Sequence, residues 1–415
     1  MRNSGFLWVI VGIMLILDIY IFQVVKWIVP FGWPRLRLAI FVLYWILSMA
    51  VILILIAIPY INYESWPKPI RTYVFAIIVG LFFSKLIASM FFAMDDIRRG
   101  ATWIIGKLFS NPSVPVSETT EGITRSAFLS WLGMAVGGGL FGTLVYGFSN
   151  KYRYQVKRIP LSFENLPSSF RGMKIVHISD IHSGSFMDRK AVMKGVEKIL
   201  KQKADLILFT GDLVNDRAIE MTDYIDVFSH LKAPMGVYSI LGNHDYGDYV
   251  RWENAEIKKA NLQNLKEVHG KLGWRLLMNE HIVLERNSEK IALLGIENWS
   301  AKGSFPKYGR LHEAHAGTQQ YPFKILMSHD PSHWDGEVRI QYQDIDLMLS
   351  GHTHGMQFGV ELPGFRWSPV QYMYKQWAGL YQNENQKLYV NRGFGFIGYP
   401  GRVGILPEIT VIELS

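Results

Sequence analysis

Five short motifs in the second half of the chain carry side chains that can bind divalent metal ions. They are Asp180-Ile181-His182, Gly211-Asp212, Gly242-Asn243-His244-Asp245, Ser328-His329 and Gly351-His352-Thr353-His354. Carboxylate, amide and imidazole groups together suit manganese, iron and zinc. Two such ions held side by side lower the pKa of a bound water and polarise a phosphoryl group. The motifs therefore predict a metal site that hydrolyses a phosphate ester.

The types and spacing of these residues suggest individual roles. Asp180 and His182, two residues apart on an extended turn, can point to one ion, and the carboxylate of Asp212 is the natural bridge between two ions. The remaining candidate ligands are the amide oxygen of Asn243 and the imidazoles of His329, His352 and His354. His244 follows a ligand and is expected just outside the metal shell, where it stabilises the transition state or protonates the leaving oxygen. No residue is predicted to bind the rest of the substrate.

The motifs lie at the ends of predicted strands that alternate with predicted helices. Strands are predicted at 173–179, 205–209 and 236–241, with helices at 189–203 and 217–231 between them. This β-α-β-α-β order implies parallel strands, whose carboxyl ends carry the sites of open α/β sheets. Further strands are predicted at 281–285, 290–296, 323–328, 345–349, 387–391 and 408–414. So many strands predict two packed sheets flanked by helices.

The other histidines are assigned no metal. His177 lies inside a predicted strand and is expected in the core, and the role of His333 stays open. Four more lack a motif and are expected to be ordinary residues: His230, His281, His312 and His315.

The first 150 residues differ from the rest because they are strongly apolar. Four stretches are long enough to cross a bilayer, which takes about 20 helical residues, and they lie at 6–29, 38–62, 70–94 and 127–147. We therefore predict a four-helix transmembrane domain at 1–150 and an enzyme domain at 151–415. The net charge is +8, and the basic residues cluster at the edges of the apolar stretches, which suits membrane lipids and not nucleic acid. The chain has no cysteine, which excludes disulfides and thiolate chemistry.

Two charges interrupt the apolar half. Asp18 and Lys85 lie near the middle of the first and third predicted spans. A charge at that depth costs about 2.5–3.5 kcal/mol on insertion scales and normally finds a partner. We expect the two to meet inside the bundle and fix the register of the helices. The fourth span is rich in glycine, and the spacings Gly133/Gly137 and Gly138/Gly142 predict close helix packing within the bundle.

The stretch 363–381 is dense in aromatic residues. Its rings line a substrate entrance or touch lipid headgroups, or else they form a packed cap over the sheets. Exposed rings would favour the first interpretation, and burial of nearly all of them the second.

At these motifs the chain resembles the calcineurin-like metallophosphoesterase superfamily. The match spans about 155–415 and includes His329 and the run from Gly351 to Gly355. The resemblance implies a four-layer α/β/β/α sandwich and two divalent ions. One ion would be bound by Asp180, His182, Asp212 and His354, and the other by Asp212, Asn243, His329 and His352, with His244 catalytic. The carboxyl-terminal segment resembles a membrane-associated bacterial branch, some members of which cleave UDP-diacylglucosamine. Met356 departs from that branch, which usually has a second glycine there.

The expected function is a membrane-anchored, dinuclear-metal phosphoesterase with a lipid-linked or headgroup substrate. Two alternatives are a UDP-diacylglucosamine pyrophosphatase and a non-catalytic metal-binding sensor or scaffold. A transporter is disfavoured because the four spans show no repeated halves. Basic residues divide evenly between the two sides of the predicted membrane, so the orientation of the enzyme domain stays open.

Overall fold

The structure is a computed structural model that describes residues 4–29, 32–109, 124–303, 305 and 307–415. By its internal contacts the chain forms two compact units, Met1–Tyr146 and Gly147–Ser415.

The first unit contains the four apolar helices that the sequence predicts. Their bounds are α1 (Ser4–Ile28), α2 (Pro34–Ala57), α3 (Lys68–Phe109) and α4 (Arg125–Gly147). All four are long and apolar enough to cross a membrane. Helix α2 begins with Pro34, which suits the first turn of a helix. Helix α3 runs well past the predicted end at 94, because hydropathy marks the bilayer and not the end of the helix.

A polar cluster lies within this apolar bundle. The ammonium group of Lys85 forms an ion pair with Asp18. The hydroxyl of Ser48 donates to Asp18 Oδ1 at 2.8 Å, and that of Tyr44 donates to the Asp18 carbonyl oxygen at 2.8 Å. Asp18 is fully buried and Lys85 is nearly so. The predicted pairing of Asp18 and Lys85 in the bundle interior is therefore confirmed.

The glycines of α4 behave in two ways. Gly133 and Gly137 face α3 so closely that added Cβ atoms would lie 3.0 Å and 2.8 Å from the carbonyl oxygens of Ala88 and Ser84. This pair packs within the bundle, as predicted. Nothing lies within 4 Å of the corresponding positions at Gly138 and Gly142 among the described residues, so the prediction is wrong for that pair.

The second unit contains two six-stranded sheets. The first has the order β1 (Gln155–Leu161), β14 (Glu408–Leu414), β2 (Lys174–Ile178), β3 (Leu206–Phe209), β4 (Val237–Ser239), β5 (Arg275–Leu276). The second has the order β12 (Gly379–Asn383), β13 (Gln386–Val390), β9 (Leu347–Ser350), β8 (Lys324–Met327), β7 (Glu289–Gly295), β6 (Glu280–Arg286). Strands β2 to β5 are parallel, as are β7, β8, β9 and β13. A hairpin of β10 (Val360–Leu362) and β11 (Phe365–Trp367) stands apart.

The layers follow from alternate side chains of the buried strands. Leu206 and Leu208 of β3 join the core between the two sheets, whereas Ile207 and Phe209 pack under the helices of the first sheet. Those helices include α5 (Arg189–Leu200), α6 (Ile225–Phe228) and α7 (Ala255–Lys271), while α8 (Leu311–His315) and α9 (Arg339–Gln341) belong to the second sheet's side. This is the predicted four-layer α/β/β/α arrangement.

Some predicted elements differ in detail. The helix expected over 217–231 is a 3-10 turn at Ala218–Met221 followed by the single turn of α6. Strand β1 and helix α7 had no counterpart in the prediction, and neither did β5, the β10–β11 hairpin or β12. The strands that carry the motifs form where they were expected.

Candidate metal centre

The candidate ligands and His244 all follow a strand at its carboxyl end. In the first sheet they are Asp180 and His182 after β2, Asp212 after β3, and Asn243 with His244 after β4. In the second sheet they are His329 after β8, and His352 with His354 after β9. Because the carboxyl ends of parallel strands share one edge, five loops from two sheets deliver their side chains to one place.

The backbone at these residues is unusual. Five candidate ligands have left-handed backbone conformations, namely Asp180 (φ 53°), His182 (φ 48°), Asp212 (φ 61°), His352 (φ 70°) and His354 (φ 50°). Each such residue costs about 1–3 kcal/mol and persists only where the surrounding structure holds it, which is typical of functional sites. The neighbouring Gly211, with φ 96°, lies so close to Gly242 that a Cβ would be 2.5 Å from its nitrogen. The loops are thus packed to present these side chains.

One group of donors consists of Asp180, His182 and His354. Their ligand atoms lie within 4.8 Å of one another, and all three residues are buried. The Nε2 atoms of His182 and His354 are 3.0 Å apart, and His354 Nε2 lies 3.2 Å from Asp180 Oδ1. Burial raises the pKa of Asp180, but the nearby His354 outweighs this effect and holds the pKa below its usual value.

A second group consists of Asp212, His329 and His352, again within 4.8 Å of one another. Asn243 belongs here as well, because its Oδ1 lies 2.8 Å from His352 Nδ1. Asp212 stands between the groups, since its Oδ2 is 3.2 Å from His329 Nε2 and 3.5 Å from His182 Nε2. The structure therefore brings all seven sequence-predicted ligands together, with Asp212 shared.

The hydrogen bonds of His329 show that this site suits cations. Its Nδ1 lies 2.7 Å from the carbonyl oxygen of Thr210, so Nδ1 must carry the ring proton. In the neutral ring Nε2 then presents a lone pair to the Asp212 carboxylate, and no donor among the described residues reaches that nitrogen. Burial lowers the pKa of His329, but Asp212, Asp180 and the Thr210 carbonyl together outweigh this effect and raise the pKa to about 10. The donor set fits divalent metal ions, which would satisfy both groups.

His244 lies beside the two groups. Its ring centroid is 5.0 Å from that of His182, and its backbone N–H donates to Asp212 Oδ1 at 2.9 Å. Its Nδ1 lies 2.7 Å from the carbonyl oxygen of Asn215, which fixes the ring proton on Nδ1. Nε2 is therefore the atom that can gain or release a proton.

Three supporting residues were missed at the sequence level. Asp245, fully buried, accepts backbone N–H bonds from both the Gly211-Asp212 and the Gly242 loops. Tyr374 and Asp330 lie behind His352, with its Nε2 2.9 Å from the Tyr374 hydroxyl and 3.6 Å from Asp330 Oδ2. Asp245 is the last residue of the Gly242–Asp245 motif and Asp330 directly follows His329, so their positions were the available signal. Tyr374 offered none, because it is distant along the chain.

His177, His333 and Met356 lie outside the two donor groups. His177 is buried and its Nε2 lies 2.9 Å from Thr210 Oγ1, which confirms its core role. His333 is buried between Ser328 and Glu337, away from the ligands. Met356 is 49% exposed, so the departure from the family pattern does not fill the site.

Two family models match this chain. Residues 173–356 match the family described as "Calcineurin-like phosphoesterase", and residues 1–151 match "Probable Calcineurin-like phosphoesterase, transmembrane domain". Metallophosphoesterase YkuE of Bacillus subtilis is 30% identical over 266 residues, which cover 60% of this chain and 82% of that protein. The chain belongs to the calcineurin-like metallophosphoesterases. It is accordingly a phosphoric ester hydrolase.

Two other relatives bear on the membrane and the substrate. "Transmembrane protein with metallophosphoesterase domain" of Danio rerio is 29% identical over 320 residues, covering 75% of this chain and 68% of that protein. "UDP-2,3-diacylglucosamine pyrophosphatase LpxG" of Chlamydia trachomatis is 27% identical over 305 residues, covering 61% of this chain and 88% of that protein. With its four apolar helices, this metallophosphoesterase is a multi-pass membrane protein.

Proposed function

We propose that this metallophosphoesterase hydrolyses a lipid-linked or headgroup phosphate ester with the help of two divalent ions. The observation that carries the proposal is the buried convergence of two donor groups that share Asp212. One ion is assigned to Asp180, His182, Asp212 and His354, and the other to Asp212, Asn243, His329 and His352. Manganese, iron and zinc all suit such ligands.

When bound, the ions supply a water of low pKa and polarise the phosphoryl group. The protein itself fixes the positions of the ligand side chains by hydrogen bonds. The His244 backbone N–H fixes Asp212 Oδ1, and the His352 N–H lies 3.0 Å from both oxygens of Asp180. Each carboxylate is therefore oriented before any substrate arrives, which is the preorganisation that electrostatic catalysis requires.

His244 is proposed as the general acid. With Nδ1–H donated to the Asn215 carbonyl, a protonated ring carries its second proton on Nε2. Transfer of that proton to the leaving oxygen returns the neutral tautomer that the Asn215 carbonyl already favours. The hydrogen bond thus fixes which nitrogen takes part in proton transfer.

The substrate class rests on the membrane domain. A chain with four membrane-spanning helices works beside a bilayer, where phosphate esters are abundant as lipid headgroups. LpxG, which is named for a lipid-linked pyrophosphate substrate, adds a specific candidate. A UDP-diacylglucosamine pyrophosphatase is therefore the second candidate function.

Turnover of bis-p-nitrophenyl phosphate by the full chain in detergent with added manganese tests the enzyme proposal. Asp212→Ala should lose both bound metal and turnover. His244→Ala should keep the metal and lose turnover by roughly 10²–10⁴-fold, the usual contribution of a positioned acid. Metal binding without turnover in the unaltered protein would instead favour a sensor or scaffold.

Equal loss of metal and activity in His244→Ala would make His244 a ligand. UDP-diacylglucosamine and extracted lipids, assayed by mass spectrometry, then separate the two substrate candidates.

A further inference from the structure

A cleft of about 470 Å³ opens beside the candidate metal centre. Its walls come from three segments of the sheet domain, around Lys302, around Asp335 and at 371–376. Tyr374 belongs both to this lining and to the metal centre, since its hydroxyl lies 2.9 Å from His352 Nε2. A molecule in the cleft is therefore one side chain away from a candidate ligand.

The cleft has a positive character. Lys302 and Lys375 line it, and the Lys302 ammonium lies 5.2 Å from the centre of the Tyr374 ring. The one acid in the lining, Asp335, is paired with Arg339 at 2.6 Å. Within the described part of the chain neither lysine forms a salt bridge, so their charge is available to an anionic group.

The mouth of the cleft is apolar. Tyr372 is 78% exposed and Met373 is 58% exposed. The β10–β11 hairpin ends at Trp367, close along the chain to Tyr372. That hairpin exposes Leu362 and Phe365. The aromatic stretch is thus divided. Tyr374 and Trp377 are buried, Trp367 and Tyr381 are half-buried, and Phe365 and Tyr372 are exposed, so the packed-cap interpretation covers only part of it.

Cationic walls and an exposed apolar mouth together match an amphiphile. A small soluble anion would use the lysines but leave Tyr372 and Met373 in water, where large apolar side chains are costly. We propose that the cleft binds the anionic headgroup of a phospholipid substrate and that Tyr372 and Met373 contact its acyl chains. The inference rests on the proposed function, because it places the headgroup and the acyl chains of the same substrate beside the metal centre.

Two phosphodiesters with the same reacting centre test the apolar contact. Methyl and dodecyl p-nitrophenyl phosphate release the same chromophore, so the ratio of their KM values isolates the effect of the tail. The full chain in maltoside micelles should show a KM for the dodecyl ester lower by about tenfold, as burial of a few methylene groups would give. The double variant Tyr372→Ser/Met373→Ser should remove most of this preference. Micelle partitioning is the same for every variant and cancels in the comparison.

Ile219→Ser is the matched control, because Ile219 is 74% exposed and lies outside the cleft lining. It should leave the KM ratio at the value of the unaltered protein. An equal loss of preference in this control, or an unchanged ratio in the double variant, would overturn the acyl-chain contact. Failure to hydrolyse either ester would count against the proposed function itself, which keeps the two failures distinct.

Competition tests the headgroup contact. Phosphatidylglycerol should inhibit hydrolysis of the methyl ester about fivefold more strongly than phosphatidylcholine, and Lys302→Gln/Lys375→Gln should abolish this difference. Equal inhibition by the two lipids would overturn the anionic preference. Inorganic phosphate that competes as well as phosphatidylglycerol at equal concentration would show a soluble anion site and overturn the lipid assignment.

Discussion

Asp245 holds two loops of the metal centre together, and its replacement offers a quantitative test. Its Oδ1 accepts the backbone N–H groups of Leu213 at 2.8 Å and Val214 at 3.3 Å. Its Oδ2 accepts those of Asp212 at 2.9 Å and Gly242 at 2.8 Å. In Asp245→Asn one of these oxygens becomes an amide NH₂, so two buried N–H groups lose their acceptor whichever way the amide turns.

The expected loss follows from that count. A buried N–H without an acceptor costs about 1–3 kcal/mol, so the two together cost about 2–6 kcal/mol. Because a domain is stable by only about 5–15 kcal/mol, this is a large fraction of the total. The loops of Asp212 and Asn243 should also separate, so we expect weaker metal binding along with the lower stability.

Intrinsic-fluorescence melting of the full chain in detergent, combined with metal analysis, measures both effects. Burial and the Asp212 carboxylate raise the pKa of Asp245 to about 7, so the comparison is made above that pH. Asp205→Asn is the control, because Asp205 Oδ2 accepts a single backbone N–H, from Lys174 at 2.8 Å, and an amide oxygen can replace it. If Asp245→Asn has the same melting temperature as Asp205→Asn and keeps its metal, the proposed role of Asp245 is wrong.

Three further predictions concern other parts of the molecule. Tyr374→Phe removes the hydroxyl that lies against His352 Nε2 and should weaken metal binding by about tenfold, the usual cost of losing such a partner. Competition with a chelator measures the metal affinity, and an unchanged affinity would contradict this prediction. Burial lowers the pKa of His269 to about 3. The unfolded chain therefore binds this proton first as pH falls below 6.5, and stability should decline there by up to about 1.4 kcal/mol per pH unit, a decline that His269→Gln should reduce in melting curves. Lys85→Met leaves Asp18 buried without its cation and should destabilise the bundle by about 2.5–3.5 kcal/mol. Adding Asp18→Leu to the same chain should restore most of that stability. If the double variant melts in detergent at no higher temperature than Lys85→Met alone, the pairing is refuted.

The parts of the fold that were predictable from sequence are those with strong local patterns. Strands such as β3, with buried residues on both faces, read as short apolar runs ended by a motif, and the four membrane helices stand out by length. The prediction of a single helix over 217–231 was wrong, because the spacing of apolar residues does not show where a turn interrupts a helix. Strand β1 was missed because its residues are mostly exposed or half-buried, so no apolar run marks it.

The candidate site likewise has features that could be predicted from the sequence and features that could not. Ligand identities could be inferred because metal chemistry restricts the residue types, and the strand ends supplied their common location. Tyr374 could not be inferred, since its contact with His352 depends on the path of a loop 22 residues further along. Nor could the left-handed conformations be foreseen, because at Asp180 or His182 they are imposed by packing and not by local preference.

The ion pair of Asp18 and Lys85 has a consequence for biogenesis. Helix α1 is synthesised first, and its aspartate has no partner from α3 until the third span has emerged from the ribosome. Until then α1 carries an unpaired charge worth about 2.5–3.5 kcal/mol against residence in lipid. Ser48 and Tyr44 of α2 reach Asp18 first, and Lys85 of α3 then supplies the opposite charge, so each later helix stabilises the first one in the bilayer.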